Sequence, residues 1–157
     1  MTDEAMSDIT WDLPEPFLLT IDVQPTDTDR LGHANNVVYV RWLEDISWAH
    51  IEDLGMTWER HQATGKAMAI TRTEIDYLAS ANAGDRLLMA TWLTGFDGRF
   101  RSSRQFQLVR PSDRKVLARA ISHHACVDLK TQRPTRVPKE YSEILGGAVI
   151  VDGKVQS

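Results

Sequence analysis

One uninterrupted helical stretch constrains the fold more than any other feature of the sequence. The residues from Asn36 to Leu54 include neither Pro nor Gly, and Gly55, a residue that favours helix ends, follows them. At about 100° per residue, charged side chains gather in one sector and apolar side chains cover most of the remaining arc. The pattern predicts a helix enclosed on most sides, as inside a curved sheet, with Arg41 and Asp45 paired on the exposed face.

Most of the remaining chain predicts strands joined by short turns. A strand precedes the helix and four follow it, and Asp97–Gly98 is a strong hairpin signal between two of them. The predicted strands are Phe17–Gln24, Ala67–Leu78, Arg86–Gly95, Phe100–Arg110 and Val116–Leu129. Grouped strands with one embedded helix predict an α+β fold with an antiparallel sheet. The small side chains on one face of the last strand are expected to lie against the helix.

Length and charge limit the class of protein. The 157 residues fit one domain, which we predict over residues 17–145 between a poorly ordered acidic leader, 1–16, and a tail, 146–157. A net charge of −4 argues against a protein that coats nucleic acid or an anionic membrane. No apolar run reaches the roughly 20 residues that span a bilayer. With one cysteine, Cys126, and no signal-peptide pattern, the sequence predicts a cytoplasmic protein.

A polar loop stands immediately before the long helix. It carries Asp27, Asp29, His33, Asn35 and Asn36 within ten residues. Helix N-termini expose unpaired backbone N–H groups that attract negative charge, so this loop is the candidate site. By residue type alone the pattern favours a turn or capping role for Asp29, and a structural role for Asp27.

The histidines further along the chain do not form a predicted metal site. His50 falls in the apolar arc of the helix, which predicts a hydrogen-bonded core histidine. His123 and His124 are adjacent on a strand, so they face opposite sides of the sheet and cannot hold one metal together. We therefore predict no metal site.

The ordered motif of the loop and helix resembles a known family. It reads Asp27-Thr28-Asp29-x-x-Gly32-His33-x-Asn35-Asn36-x-x-Tyr39, with later agreement at Tyr77-Leu78, Gly84-Asp85-x-Leu87, Val127-Asp128, Arg133-Pro134 and Pro138. This pattern is similar to that of the hotdog-fold acyl-CoA thioesterases, in particular the 4-hydroxybenzoyl-CoA thioesterase-like group. The resemblance implies a curved antiparallel sheet wrapped around one long central helix.

The resemblance also implies roles for named residues. It makes Asp29 the catalytic carboxylate, as general base or nucleophile, and the Asn36 backbone N–H the group that polarises the thioester carbonyl. His33 belongs to a segment more similar to plant acyl-carrier-protein thioesterases, although Leu31 stands where those enzymes carry Asn. Residues implied to contact CoA are Arg101, Ser103 and Arg133, with Lys130 as a further candidate.

The implied substrate is an acyl-CoA or an acyl carrier protein thioester, and CoA would be part of the substrate rather than a cofactor. The resemblance further implies a homodimer or homotetramer that pairs through sheet edges, with sites between subunits. Large apolar residues are candidates for the acyl tunnel, namely Trp42, Trp48, Trp58, Met68 and Phe96. Two alternatives remain open, which are an acyl-thioester hydratase or dehydratase of the same fold and a non-catalytic oligomer that binds acyl-CoA or acyl carrier protein.

Overall fold

A computed structural model describes residues 8–151 and 154–155 of the chain. Its helices are α1 (Asn36–Asp53), α2 (Trp58–Thr64) and α3 (Lys139–Ala148). Its strands are β1 (Phe17–Asp22), β2 (Lys66–Tyr77), β3 (Arg86–Phe96), β4 (Arg101–Arg110), β5 (Lys115–Asp128), β6 (Ile150–Val151) and β7 (Lys154–Val155). The first five strands form one sheet in the order β1-β3-β4-β5-β2, with every neighbouring pair antiparallel. The predicted α+β architecture and its long helix are therefore confirmed, with boundaries shifted by one or two residues.

Helix α1 packs against the inner face of the sheet. Its side chains Trp42, Leu43 and Ile46 are buried in one core with apolar residues of β3, β4 and β5. Ala118 and Ala120 of β5 belong to this core, which confirms that small residues of the last long strand face the helix. Small side chains on the strand let the helix approach the sheet closely.

One side of α1 is more open than the sequence predicts. Val40, which the pattern places in the apolar arc, is 42% exposed. Val37 and Trp48, which are 74% and 40% exposed, lie in the charged sector of the helix, where the pattern predicts exposure. Val40 and Trp48 border clefts that β2 also lines, and β2 is one edge strand of the sheet, so no further strand of the described residues covers that side. The prediction of an α1 enclosed on most sides is therefore met on the sheet side and not along the β2 edge.

The segment before β1 is attached to the sheet. The sequence predicts a poorly ordered leader over residues 1–16; in the structure Trp11 and Leu13 pack beside Trp92 of β3, whose indole N–H donates to the Pro14 carbonyl over 2.9 Å. Residues 1–7 lie outside the described part of the chain. The predicted tail from residue 146 begins later in the structure, because α3 continues through Gly146 and Gly147 to Ala148. After it, β6 pairs with β7.

A buried cation lies under the C-terminal half of α1. Arg104 is 2% exposed and donates hydrogen bonds to His50 Nδ1 over 2.7 Å and to Thr91 Oγ1 over 3.2 Å. No carboxylate of the described residues forms an ion pair with it. His50 is therefore hydrogen-bonded, as predicted, but it is half-buried rather than enclosed in the core. Burial and the Arg104 charge lower the pKa of His50 to about 3.

We expect acid to weaken the fold through this cluster. Burial, the Arg104 charge and His123 also lower the pKa of His124, to about 4. Between the ordinary histidine pKa of 6.5 and about 4, the unfolded chain binds protons that the folded chain does not, so the free energy of unfolding should fall as the pH falls through that window. Urea denaturation at a series of pH values measures this slope. In His50→Gln, whose amide oxygen can still accept from Arg104, the slope should be shallower; an unchanged slope would contradict the assignment.

Candidate active site

The loop before α1 is folded around the Asp29 side chain. Asp29 Oδ1 accepts hydrogen bonds from the backbone N–H groups of Leu31, over 2.8 Å, and His33, over 3.3 Å. The Asp29 N–H donates in turn to the His33 carbonyl over 2.8 Å. Gly32 closes this tight turn with a φ of +77°, a backbone conformation that glycine adopts without strain. Among the described residues Asp29 Oδ2 accepts no hydrogen bond, so one carboxylate oxygen is held and the other is free.

Asp27 connects this loop to α1. Its carboxylate is buried and accepts from the Arg41 guanidinium over 2.8 Å and from the Gln24 N–H over 2.9 Å. Burial raises the pKa of Asp27, but the hydrogen bonds from Arg41 and Gln24 outweigh it and hold that pKa below its ordinary value. The predicted structural role of Asp27 is confirmed. The predicted pair between Arg41 and Asp45 is wrong, because Arg41 reaches the loop instead.

The N-terminus of α1 presents one free backbone donor. Asn35 is the N-cap, and its Oδ1 accepts from the Val37 N–H over 3.2 Å. The preceding N–H, that of Asn36, has no hydrogen-bond acceptor among the described residues. On its other side Asn36 is held by Tyr77, whose hydroxyl donates to the Asn36 carbonyl over 3.2 Å. The cap and the tyrosine together fix the first turn of the helix.

The free oxygen and the free N–H belong to residues that line one cleft. The cleft has a volume of about 290 Å³ and is bordered by the loop, the start of α1 and the end of β2. Its lining residues are Asp29, His33, Ala34, Asn36, Tyr39, Tyr77, Leu78, Ala79 and Ser80. The structure therefore brings the three residues of the predicted catalytic group together. A carboxylate beside a helix N-terminus can activate a water molecule or attack as a nucleophile itself. The backbone N–H at the helix start can stabilise the oxyanion that develops.

The three residues predicted to contact CoA lie far from this cleft in the folded chain. Tyr77, at the Asp29 cleft, pairs with Ala118 of β5, whereas Arg101 pairs with Ala125 of the same strand. Ala118 and Ala125 are seven residues apart, so the two positions are separated by roughly 23 Å along β5. Ser103 is beside Thr94, with 3.4 Å between their hydroxyl oxygens, and Arg133 is exposed in the turn that follows β5. Within one chain these residues do not meet Asp29.

A larger apolar cavity lies near that far end of the sheet. It has a volume of about 430 Å³, and we call it the tryptophan cavity. It is lined by Glu44, Ser47, Trp48, Ile51, Trp58, His61, Ala67, Met68, Ala69, Ile70, His124, Val127 and Leu129. Of the predicted tunnel residues, Trp48, Trp58 and Met68 line it. Trp42 and Phe96 do not line it; Trp42 is buried in the core between α1 and the sheet, and Phe96 packs against a second apolar cluster.

Sequence reasoning missed some residues of both clefts. Tyr39 and Tyr77 are part of the recognised motifs, but only the fold shows that the Tyr77 hydroxyl holds the helix start and that Tyr39 accepts from the Ala81 N–H over 3.3 Å. His61 of the tryptophan cavity carried no sequence signal, because nothing in its spacing separates it from a surface histidine. No helix of the described residues is long and apolar enough to cross a bilayer.

Comparison with known proteins identifies relatives of the chain. A family model described as the thioesterase-like superfamily matches residues 23–145. The chain is 27% identical over 125 residues to the long-chain acyl-CoA thioesterase FadM of Escherichia coli, covering 80% of this chain and 93% of that protein.

Solved structures agree on the fold. The structure of a 1,4-dihydroxy-2-naphthoyl-CoA thioesterase from Synechocystis superposes with a TM-score of 0.74 at 21% identity, covering 83% of this chain and 96% of that one. A Staphylococcus aureus protein solved in complex with CoA superposes with a TM-score of 0.80 at 14% identity, covering 94% and 91%. At these identities the likeness concerns the fold, and it confirms the predicted hotdog architecture.

Proposed function

The chain belongs to the thioesterase-like superfamily, and we propose that it hydrolyses an acyl-CoA thioester to a free acid and CoA. The observation that carries the proposal is the pairing, in one cleft, of an Asp29 carboxylate with one free oxygen and an Asn36 N–H with no acceptor among the described residues. The name of FadM and the CoA bound to the Staphylococcus aureus protein support the substrate class.

In the proposed mechanism the thioester carbonyl oxygen accepts a hydrogen bond from the Asn36 N–H. The charge that develops on this oxygen is stabilised by that donor and by the helix N-terminus. Asp29 either removes a proton from water as the water attacks the carbonyl carbon, or attacks it directly and forms a mixed anhydride that water then cleaves. In both routes the carbon–sulfur bond breaks, the sulfur takes a proton and CoA leaves as the thiol. His33 lines the same cleft and is proposed to orient the loop.

A second copy of the chain is proposed to complete the site. Strand β2 is a 12-residue edge strand, and long open edges pair readily with another chain. Tyr77 at its C-terminal end lines the Asp29 cleft, while Ala67 to Ile70 near its other end line the tryptophan cavity. Two copies paired antiparallel along β2 about a two-fold axis therefore set the cleft of one beside the cavity of its partner.

This arrangement would also bring the far end of the partner's sheet toward Asp29. Arg101, Ser103 and Arg133 lie at that end, so they remain the proposed contacts for the CoA phosphates, which Arg binds well through its planar guanidinium. Light scattering should then give the mass of a dimer or a multiple of it. A monomer at working concentrations would contradict the shared site.

The activity is tested with a panel of acyl-CoAs of different chain length and aromatic content, assayed for free thiol. We expect thiol release for at least one member, and acyl carrier protein thioesters in the same assay would identify the carrier. Hydration of an enoyl-CoA without thiol release would instead favour a hydratase. Calorimetric binding without thiol release across the whole panel would favour a non-catalytic binding protein.

A further inference from the structure

The cations at the two ends of the sheet differ in their partners. At the end that carries the Asp29 cleft, Arg86, Arg110 and Arg114 each form an ion pair with an aspartate, over 2.8, 3.0 and 2.7 Å. At the far end, a group of exposed cations forms no ion pair with any described residue. This group, which we call the basic end, consists of Arg99, Arg101, Lys130, Arg133 and Arg136.

The basic end is formed by two turns that backbone hydrogen bonds hold together. One is the hairpin turn between β3 and β4, and the other follows β5. The Arg99 carbonyl accepts from the Val137 N–H over 2.8 Å, and the Phe100 carbonyl accepts from the Cys126 N–H over 2.9 Å. The cations of both turns therefore lie on one continuous part of the surface.

The two turns carry an excess of positive charge. Asp97 Oδ1 accepts from the backbone N–H groups of residues 99, 100 and 101, over 2.8, 2.7 and 3.1 Å. Asp128 Oδ1 accepts from the N–H groups of residues 130 and 131, each over 2.9 Å. Residues 97–101 and 128–138 contain no other acid, so these two carboxylates face five cations. The net charge of −4 describes the whole chain and not this end of it.

Exposed apolar side chains alternate with these cations. Phe100, which is 43% exposed, stands between two of the arginines, and Leu129, which is 41% exposed, directly precedes the lysine. Leu129 also lines the tryptophan cavity with Trp58, which is 54% exposed. Unpaired cations beside exposed apolar residues are typical of surfaces that meet a bilayer, because the cations attract anionic headgroups while the apolar side chains enter the interface below them.

The shape of the basic end favours a lipid surface over a folded acidic protein. Residues 97–101 and 129–134 are exposed at every position. Arg99, Lys130, Arg133 and Arg136 line none of the clefts described above. A folded partner of standard size needs a complementary surface of about 800 Å², whereas a fluid bilayer adapts to protruding turns.

We infer that the basic end binds reversibly to membranes that contain anionic phospholipid, with its cations at the headgroups and with Phe100 and Leu129 in the interface. The inference goes beyond the proposed function and does not depend on it, because it concerns a surface other than the Asp29 cleft. Combined with the proposed hydrolysis, it places the release of an apolar acid beside a bilayer, into which such an acid partitions.

The first test is cosedimentation of the full chain with vesicles of phosphatidylcholine alone and of phosphatidylcholine and phosphatidylglycerol in equal amounts. We expect binding to the anionic vesicles and little binding to the neutral ones. Each cation near an anionic surface contributes about fivefold to the partition coefficient, so Arg99→Gln/Arg136→Gln should bind about 25-fold more weakly. Arg30→Gln/Lys115→Gln is the matched control, because it removes the same charge from exposed cations at the Asp29 end and should bind like the wild type.

The second test separates the apolar contribution from the charge. Phe100→Ser keeps every cation and should bind the anionic vesicles about tenfold more weakly. Ionic strength of about 1 M, at which the Debye length is about 3 Å, should release the wild type. Equal binding to both kinds of vesicle, or equal losses in the two charge variants, would overturn the inference.

Two further outcomes would assign the basic end to other anions and overturn the lipid assignment. Release by sodium phosphate well beyond that by sodium chloride of equal ionic strength would indicate a site for a single phosphate group. Binding of soluble polyglutamate more tightly than anionic vesicles, without dependence on Phe100, would indicate an acidic protein partner. Vesicle binding without thiol release from any acyl-CoA would leave the inference standing and contradict the proposed function; thiol release without vesicle binding would do the reverse.

Discussion

Asp29→Asn should abolish most of the turnover while leaving the fold and substrate binding nearly unchanged. The amide oxygen of Asn can replace Oδ1 as the acceptor for the Leu31 and His33 N–H groups, so the turn should persist. The amide can neither take a proton from water nor attack a carbonyl as an anion. Positioned general bases contribute about 10²–10⁴ in rate, and we expect a loss of kcat within or above that range.

The measurement is single-turnover thiol release with the best acyl-CoA of the panel, together with calorimetric binding of the same compound. Asp53→Asn is the control, since Asp53 is exposed at the opposite end of α1 and lines neither cleft. A normal rate in Asp29→Asn would remove Asp29 from the mechanism. A loss of rate accompanied by a lower melting temperature would point to the loop rather than to the chemistry.

Asn36→Pro should slow hydrolysis by about 10²–10³, because it removes the backbone N–H that is proposed to face the oxyanion. Few positions permit this substitution. Asn36 is the first residue of α1, where proline is well tolerated, and Asn35 has φ −65° and ψ 139°, a conformation that suits the residue before a proline. The helix should therefore begin at the same place without its first donor.

Asn36→Ala separates the backbone from the side chain. It keeps the N–H and loses only the side-chain amide, so its rate should exceed that of Asn36→Pro by a large factor. Circular dichroism and melting temperature verify that both variants retain α1. If the two variants were equally slow, the side chain of Asn36 would carry the effect and the backbone assignment would be wrong.

The parts of the fold that sequence reasoning predicted are those encoded by neighbouring residues. The absence of Pro and Gly in α1 and the Asp97–Gly98 turn act over a few positions, so each left a readable pattern. The grouping of Asp29, His33 and Asn36 also follows from local sequence, because one tight turn and one helix start hold all three.

The contacts that escaped prediction join distant parts of the chain. Arg41 was expected to pair one helical turn away, but the folded loop places the buried Asp27 within its reach. The pairing of Arg104 with His50 depends on how β4 passes under α1, and no spacing in the sequence records that. Likewise His61 becomes a cavity residue only once α2 is packed against Trp48 and Tyr141.

The attachment of residues 8–16 decides where the chain can be shortened. Trp11 and Leu13 lie over Ala90 and Trp92, and the Gln107 side chain bonds to the backbone of Thr10 and Asp12. A chain that began at residue 17 would expose the Trp92 indole on the convex side of the sheet. It would also leave the buried Gln107 amide without the hydrogen bonds to Thr10 and Asp12. Shortened versions made for crystallisation or fusion should therefore begin no later than Asp8, and a soluble tag belongs before that residue.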